Sequence, residues 1–142
     1  MINKLIILAL VITFPVEYKE MDLYFLSHYI DQEECINNLN SIPDKYLEGI
    51  NSISFFDIRK PVKAGHYFYF AQKIDIFVGC DMSTIVHEVA HHKNKIDKVS
   101  FRDSYLHKEP FDQAFKEIAD ARWENNGKYT CLKDLKGALC LD

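Results

Sequence analysis

Several things this chain of 142 residues lacks narrow its reading before any motif does. It has no basic run and no Arg-rich face. With 17 Lys and Arg against 21 Asp and Glu, it carries a net charge of −4 and a pI near 5.8. Such a surface offers phosphates no electrostatic footprint, which excludes nucleic acid as a main partner. No internal repeat or low-complexity segment is visible. The four cysteines, Cys35, Cys80, Cys131 and Cys140, never form a C-x-x-C, so a cysteine-based zinc site is not expected. The longest apolar run, residues 5–14 with only Thr13 polar, is too short for an ordinary transmembrane helix. No methionine follows Met82.

The length and the mixed composition suit one globular domain, and 10 Phe with 8 Tyr supply a real core. Residues 1–4 carry a positive charge ahead of the apolar run, an order similar to the n- and h-regions of a secretory signal peptide. Phe14-Pro15-Val16-Glu17 stands where a small-residue cleavage site is expected, so a buried N-terminal helix or strand is the alternative. The division is therefore 1–16 as leader or buried segment and 17–142 as the domain. A leader points to a secreted or periplasmic protein. An even cysteine count in an exported chain permits two disulfides, with Cys131 and Cys140 the expected pair; buried free thiols are the alternative.

Along the chain, Leu23, Leu26, Ile30, Cys35, Ile36 and Leu39 suggest one or two amphipathic helices broken near Asp31. Pro43 can open a short helix through Leu47, which Gly49 stops. The pattern then turns β-like over 50–58, 66–70 and 74–78, rich in aromatic and β-branched residues. Gly79 ends the last run, and Asp81 or Ser83 can cap a helix over 83–93. Residues 97–107 read as a loop. A second helix is expected from Pro110 to about Asn125, with Phe111, Phe115, Ile118, Ala119 and Trp123 facing inward and Gly127 as its stop. These elements predict an α+β domain: a small mixed sheet packed on two helices.

The first of those helices carries His87-Glu88-Val89-Ala90-His91, an H-E-x-x-H string. Residues four apart on a helix lie one above the other, so both imidazoles can reach one ion. Glu88, one position on from His87, can touch a water on that ion without being a ligand. Two His and an adjacent carboxylate base are what a zinc hydrolase requires. Ile85, Val86, Val89 and Ala90 would pack around the pair. His92 points about 100° from His91 and reads as a surface or supporting group, and His28 reads as structural.

With the motif and a carboxylate-bearing helix after it, the chain resembles the gluzincin metallopeptidases of the small, single-domain kind, over about residues 50–125. The resemblance implies a zinc-dependent endopeptidase acting on a peptide or protein, with Glu88 as general base and a third ligand from the second helix. It also implies peptide binding by strand addition at an edge strand, here 74–78. For the third ligand, Glu117 is preferred, because its neighbours Ala114 and Ala121 let the two helices approach closely. Glu109 is the alternative: Glu109-Pro110-Phe111-Asp112-Gln113-Ala114-Phe115 is similar to a string in lethal-factor-type toxin peptidases, departing at Asp112 and Gln113. A further alternative is Asp97, since residues 91–97 are similar to the metzincin tail with Asn94 in place of glycine. Tyr105, His107 or His66 are candidates to stabilise an oxyanion, and Asp120 and Gln113 to orient a ligand imidazole. The competing reading is an inactive zincin-like module that binds a partner through its edge strand.

Overall fold

The computed structural model of the chain describes residues 14–126. Residues 1–13 of the expected leader, the Gly127 stop and the Cys131–Cys140 pairing lie outside the described residues. The chain runs β1 (Val16–Tyr18), β2 (Met21–Phe25), α1 (Gln32–Asn40), α2 (Asp44–Leu47) and β3 (Ser52–Phe55). It continues through β4 (Gly65–Phe68), β5 (Lys73–Ile76), α3 (Met82–Ile96), α4 (Phe101–Tyr105) and α5 (Glu109–Asn126). The sheet order is β1-β2-β3-β5-β4. β2, β3 and β5 are parallel, and each outer strand joins antiparallel. The fold is α+β, as the grouping of the β-like runs ahead of the two long helices predicts.

Burial follows the period-2 rule of a strand. Ile53 and Phe55 on β3, and Ile74 and Ile76 on β5, are buried, and they stand opposite one another in register. Onto this sheet packs α3, and α5 packs against the α3 helix. Ile85, Val86, Val89 and Ala90 of α3 meet Phe111, Phe115, Ile118 and Ala119 of α5 in one continuous core. Among the described residues no helix is long and apolar enough to cross a membrane.

Four expectations need correction. The segment read as helical from Tyr18 begins instead with a hairpin, turned by Lys19 at φ 53°. Tyr18, Met21 and Leu23 are buried, and a helix starts only after Asp31, whose Oδ1 accepts the Glu34 N–H at 3.1 Å. The 74–78 run is not the edge strand: β5 lies between β3 and β4, and β4 is the edge. Gln72, at φ 51°, turns the chain inward after β4, so the later strand takes the interior place and buries both isoleucines. Residues 97–107 are not all loop, because Ser100 caps α4 by accepting the Asp103 N–H at 3.1 Å. Finally, Trp123 is 39% exposed, whereas Arg122 is buried and donates Nε–H to Ser41 Oγ at 2.7 Å.

A disulfide joins Cys35 of α1 to Cys80, which directly precedes the Asp81 cap of α3. It closes 45 residues of chain, worth about 4 kcal/mol in chain-entropy terms. It thereby ties the start of the motif helix to α1, where Asn38 Nδ2–H also donates to the Cys80 carbonyl at 2.7 Å.

Candidate metal centre

Gly79, at φ 68°, breaks β-structure and lets Asp81 begin α3. Asp81 Oδ2 accepts from the Thr84 N–H at 3.1 Å and from both the Ser83 and Thr84 hydroxyls at 2.6 Å. A helix start held this firmly sets the phase of the next two turns. His87 and His91 then share one face, with ring centroids 5.0 Å apart.

A third imidazole joins them. His107 follows α4 at φ 54°, and its N–H donates to the Ser104 carbonyl at 3.0 Å. The Lys108 N–H donates to the Asp103 carbonyl at 3.1 Å. These two bonds make a Schellman ending, in which glycine ordinarily takes the left-handed position. A histidine there costs on the order of 1 kcal/mol, and strain of this kind concentrates at functional sites. The turn sends the His107 ring back to α3, with Nε2 3.3 Å from His91 Nε2.

One nitrogen from each of His87, His91 and His107 lies within 4.8 Å of the others, so the three can hold a metal ion. Nitrogens around tetrahedral zinc, at Zn–N of about 2.0–2.1 Å, stand about 3.3–3.4 Å apart. The His91–His107 pair meets that spacing; the widest permitted by the cluster closes with shifts of up to about 1.4 Å. Phe111 of α5 forms the floor, its ring centroid 4.8, 4.5 and 4.6 Å from those of His87, His91 and His107. Burial pushes the His91 pKa down to about 3, aided by repulsion from His87, His107 and His66. In the metal-free protein this ring is therefore neutral, the state a metal ligand needs.

Glu88 lies alongside, only 5% exposed, with Oε1 4.0 Å from His87 Nε2. Burial raises its pKa to about 8, a rise partly offset by the charge of Lys63. Histidines and carboxylate open on a cleft of about 810 Å³ that Gly65, His66, Tyr67, Tyr69, Phe101 and Tyr105 also line. One wall is thus the edge strand β4. His66 accepts at Nδ1 from Lys63 Nζ at 2.7 Å, which leaves its own proton on Nε2. Behind His91, its Nδ1 lies 2.8 Å from Ser104 Oγ, and Ser104 in turn donates to Asn94 Oδ1 at 2.8 Å.

The structure does not bring Glu117 to the histidines. Its carboxylate lies 3.5 Å from Lys93 Nζ, and the side chain is 53% exposed. Phe111 and Phe115 occupy the face of α5 turned to the site, and Glu117 is two residues, about 200°, past Phe115. Glu109 is exposed at the mouth of α5 and accepts from Gln113 Nε2 at 3.0 Å. Asp97 ends α3 and pairs with Lys93. Asn94 is helical and does not make the turn a metzincin tail requires. Asp120 is exposed, so neither it nor Gln113 orients an imidazole; Ser104 contacts His91 instead. Tyr105 and His66 do line the cleft, as does His107, which also belongs to the histidine cluster that could hold a metal.

His92 is a core residue, 1% exposed. Its Nε2–H donates to the Glu48 carbonyl at 2.7 Å, so its Nδ1 accepts from Tyr67 Oη–H at 2.8 Å. The exposed His28 packs at a tilt against Tyr29, their ring planes 44° apart. Only His107 among the loop histidines joins the motif, and its composition alone does not distinguish it; what does is its place just beyond a short Ser-capped helix. Comparison of the chain with models of known families, with curated proteins and with solved structures returns no match.

Proposed function

We propose that the chain is a zinc-dependent hydrolase of peptide bonds, with His87, His91 and His107 as the ligands and Glu88 as the general base. The observation that carries this reading is the convergence of three imidazole nitrogens and one buried carboxyl on a single cleft. Three protein ligands leave a position open, as in catalytic rather than structural zinc sites. A bound zinc supplies Lewis-acid polarisation of a carbonyl and lowers the pKa of a coordinated water to about 7. Glu88, held ionised by the charge of the cation beside it, would take a proton from the attacking water and hand it to the amine nitrogen as the C–N bond breaks. His66 and Tyr105 line the cleft, and their Nε2–H and hydroxyl are the donors available to a carbonyl oxygen as charge builds on it. An extended peptide can pair with the open edge of β4, rather than with β5. A third histidine departs from the two-His, one-Glu set of gluzincins, so the proposal is made for the wider H-E-x-x-H class.

Zinc content of the purified protein and chelator-sensitive cleavage of unstructured peptides test the reading together. Stoichiometric zinc is expected, and Glu88→Gln should keep the metal while losing about 10²–10⁴-fold in turnover. A protein without zinc, or a fully active Glu88→Gln, overturns the proposal. Bound zinc without hydrolysis points instead to a module that binds partners through β4.

A further inference from the structure

Ser104 and Asn94 use their hydrogen bonds in a direction that only one arrangement of protons satisfies. The Pro110 carbonyl can only accept, so the Asn94 atom facing it at 3.1 Å is Nδ2. The amide oxygen of Asn94 is then turned to Ser104, which donates its single hydroxyl proton there at 2.8 Å. Toward His91 the hydroxyl has only a lone pair left. His91 must therefore carry its proton on Nδ1, the atom 2.8 Å from Ser104 Oγ, and its Nε2 is bare. That bare nitrogen is the one facing His107 Nε2 across 3.3 Å. Asn94 is 2% exposed and Ser104 likewise, so water does not compete for either group.

Ser104 has a second hold on the cluster. Its carbonyl accepts the His107 N–H that stabilises the left-handed turn. One residue of α4 thus orients the ring of His91 and the backbone of His107, and through Asn94 it is tied to the start of α5.

We infer that Ser104 is the positioning residue of the metal centre: a Pro110–Asn94–Ser104 relay holds His91 as its Nδ1–H tautomer so that Nε2 is presented to the ion. The tautomer itself stands independently of the proposed activity; its purpose rests on that reading. Partners of this kind behind metal-bound imidazoles typically contribute 10–100-fold to metal affinity.

The test is a histidine-ring ¹⁵N NMR experiment on chelator-treated full-length protein, combined with Zn²⁺ affinity measured by competition with a chromogenic chelator. In the wild type, His91 should show a protonated Nδ1 and a bare Nε2. In Ser104→Ala the ring should lose this bias, and Zn²⁺ should bind about 10–100-fold more weakly. A purely packing role for Ser104 would not move the tautomer. A wild-type His91 protonated on Nε2 overturns the inference outright, even if the variant fails to fold. So does a folded Ser104→Ala with unchanged tautomer or unchanged affinity. The stated tautomer in a wild type that takes up no zinc leaves the relay standing and removes the proposed function instead.

Discussion

Gly65 on the edge strand lies directly against Glu88 on the motif helix. A Cβ placed at residue 65 would stand 3.2 Å from Glu88 Cγ, 3.0 Å from the Asp75 carbonyl oxygen and 2.8 Å from Thr84 Cγ2. The absence of a side chain is what lets β4 approach the motif helix this closely and bury the Glu88 side chain. Gly65→Ala should therefore cost about 1–3 kcal/mol through overpacking, and should displace Glu88 or the strand. Thermal unfolding and turnover number check this together. A variant as stable and as active as the wild type would show that the contact is slack.

The ligand set is open to a direct comparison. His107→Ala should lose zinc on dialysis, whereas Glu117→Ala and Glu109→Ala should retain it, because neither carboxylate is among the groups that converge on the motif. Metal analysis of the three variants side by side decides. Loss of zinc from Glu117→Ala with retention in His107→Ala would return the third ligand to α5.

Glu88 also predicts how the metal-free protein responds to pH. Burial holds its folded pKa at about 8 against an ordinary 4.5, so between those values the folded state keeps a proton that the unfolded chain has released. Its contribution to stability is full below 4.5, falls as pH rises toward 8, and is flat beyond. His91 acts the other way: with its pKa pushed from 6.5 to about 3, it removes stability as pH falls through that window. Denaturant midpoints of chelator-treated wild type and Glu88→Gln should diverge with rising pH. The wild type should lose ground by an amount on the order of a few kcal/mol. A difference that does not change with pH would sink this account of the buried carboxyl.

Much of the domain is legible in the chain because it rests on short-range relations. The i, i+4 spacing of His87 and His91, the Asp81 cap and the inward face of Ile85, Val86, Val89 and Ala90 need only the period of a helix. The same holds for Phe111, Phe115 and Ile118 on α5. Where local cues compete, the reading fails: Leu23 fits a helical stripe with Leu26 and Ile30 and equally a strand alternation with Met21. Pairing of β1 with β2 and of β2 with β3 settles that conflict.

Other relations exist only once distant segments pack. The edge position of β4 depends on β5 entering the sheet beside β3, and strand order is not written in either strand. The Cys35–Cys80 bridge spans 45 residues. His107, 16 residues beyond His91, reaches the motif because a Schellman turn aims it there and Phe111 supports it. Ser104 and Asn94 look like any small polar residues until three helices bring them behind an imidazole. The sequence by itself determined the two histidines and the carboxylate of the motif, since one helix places them. The tertiary structure alone decided the third histidine, because only packing brings α4 and its turn to that helix.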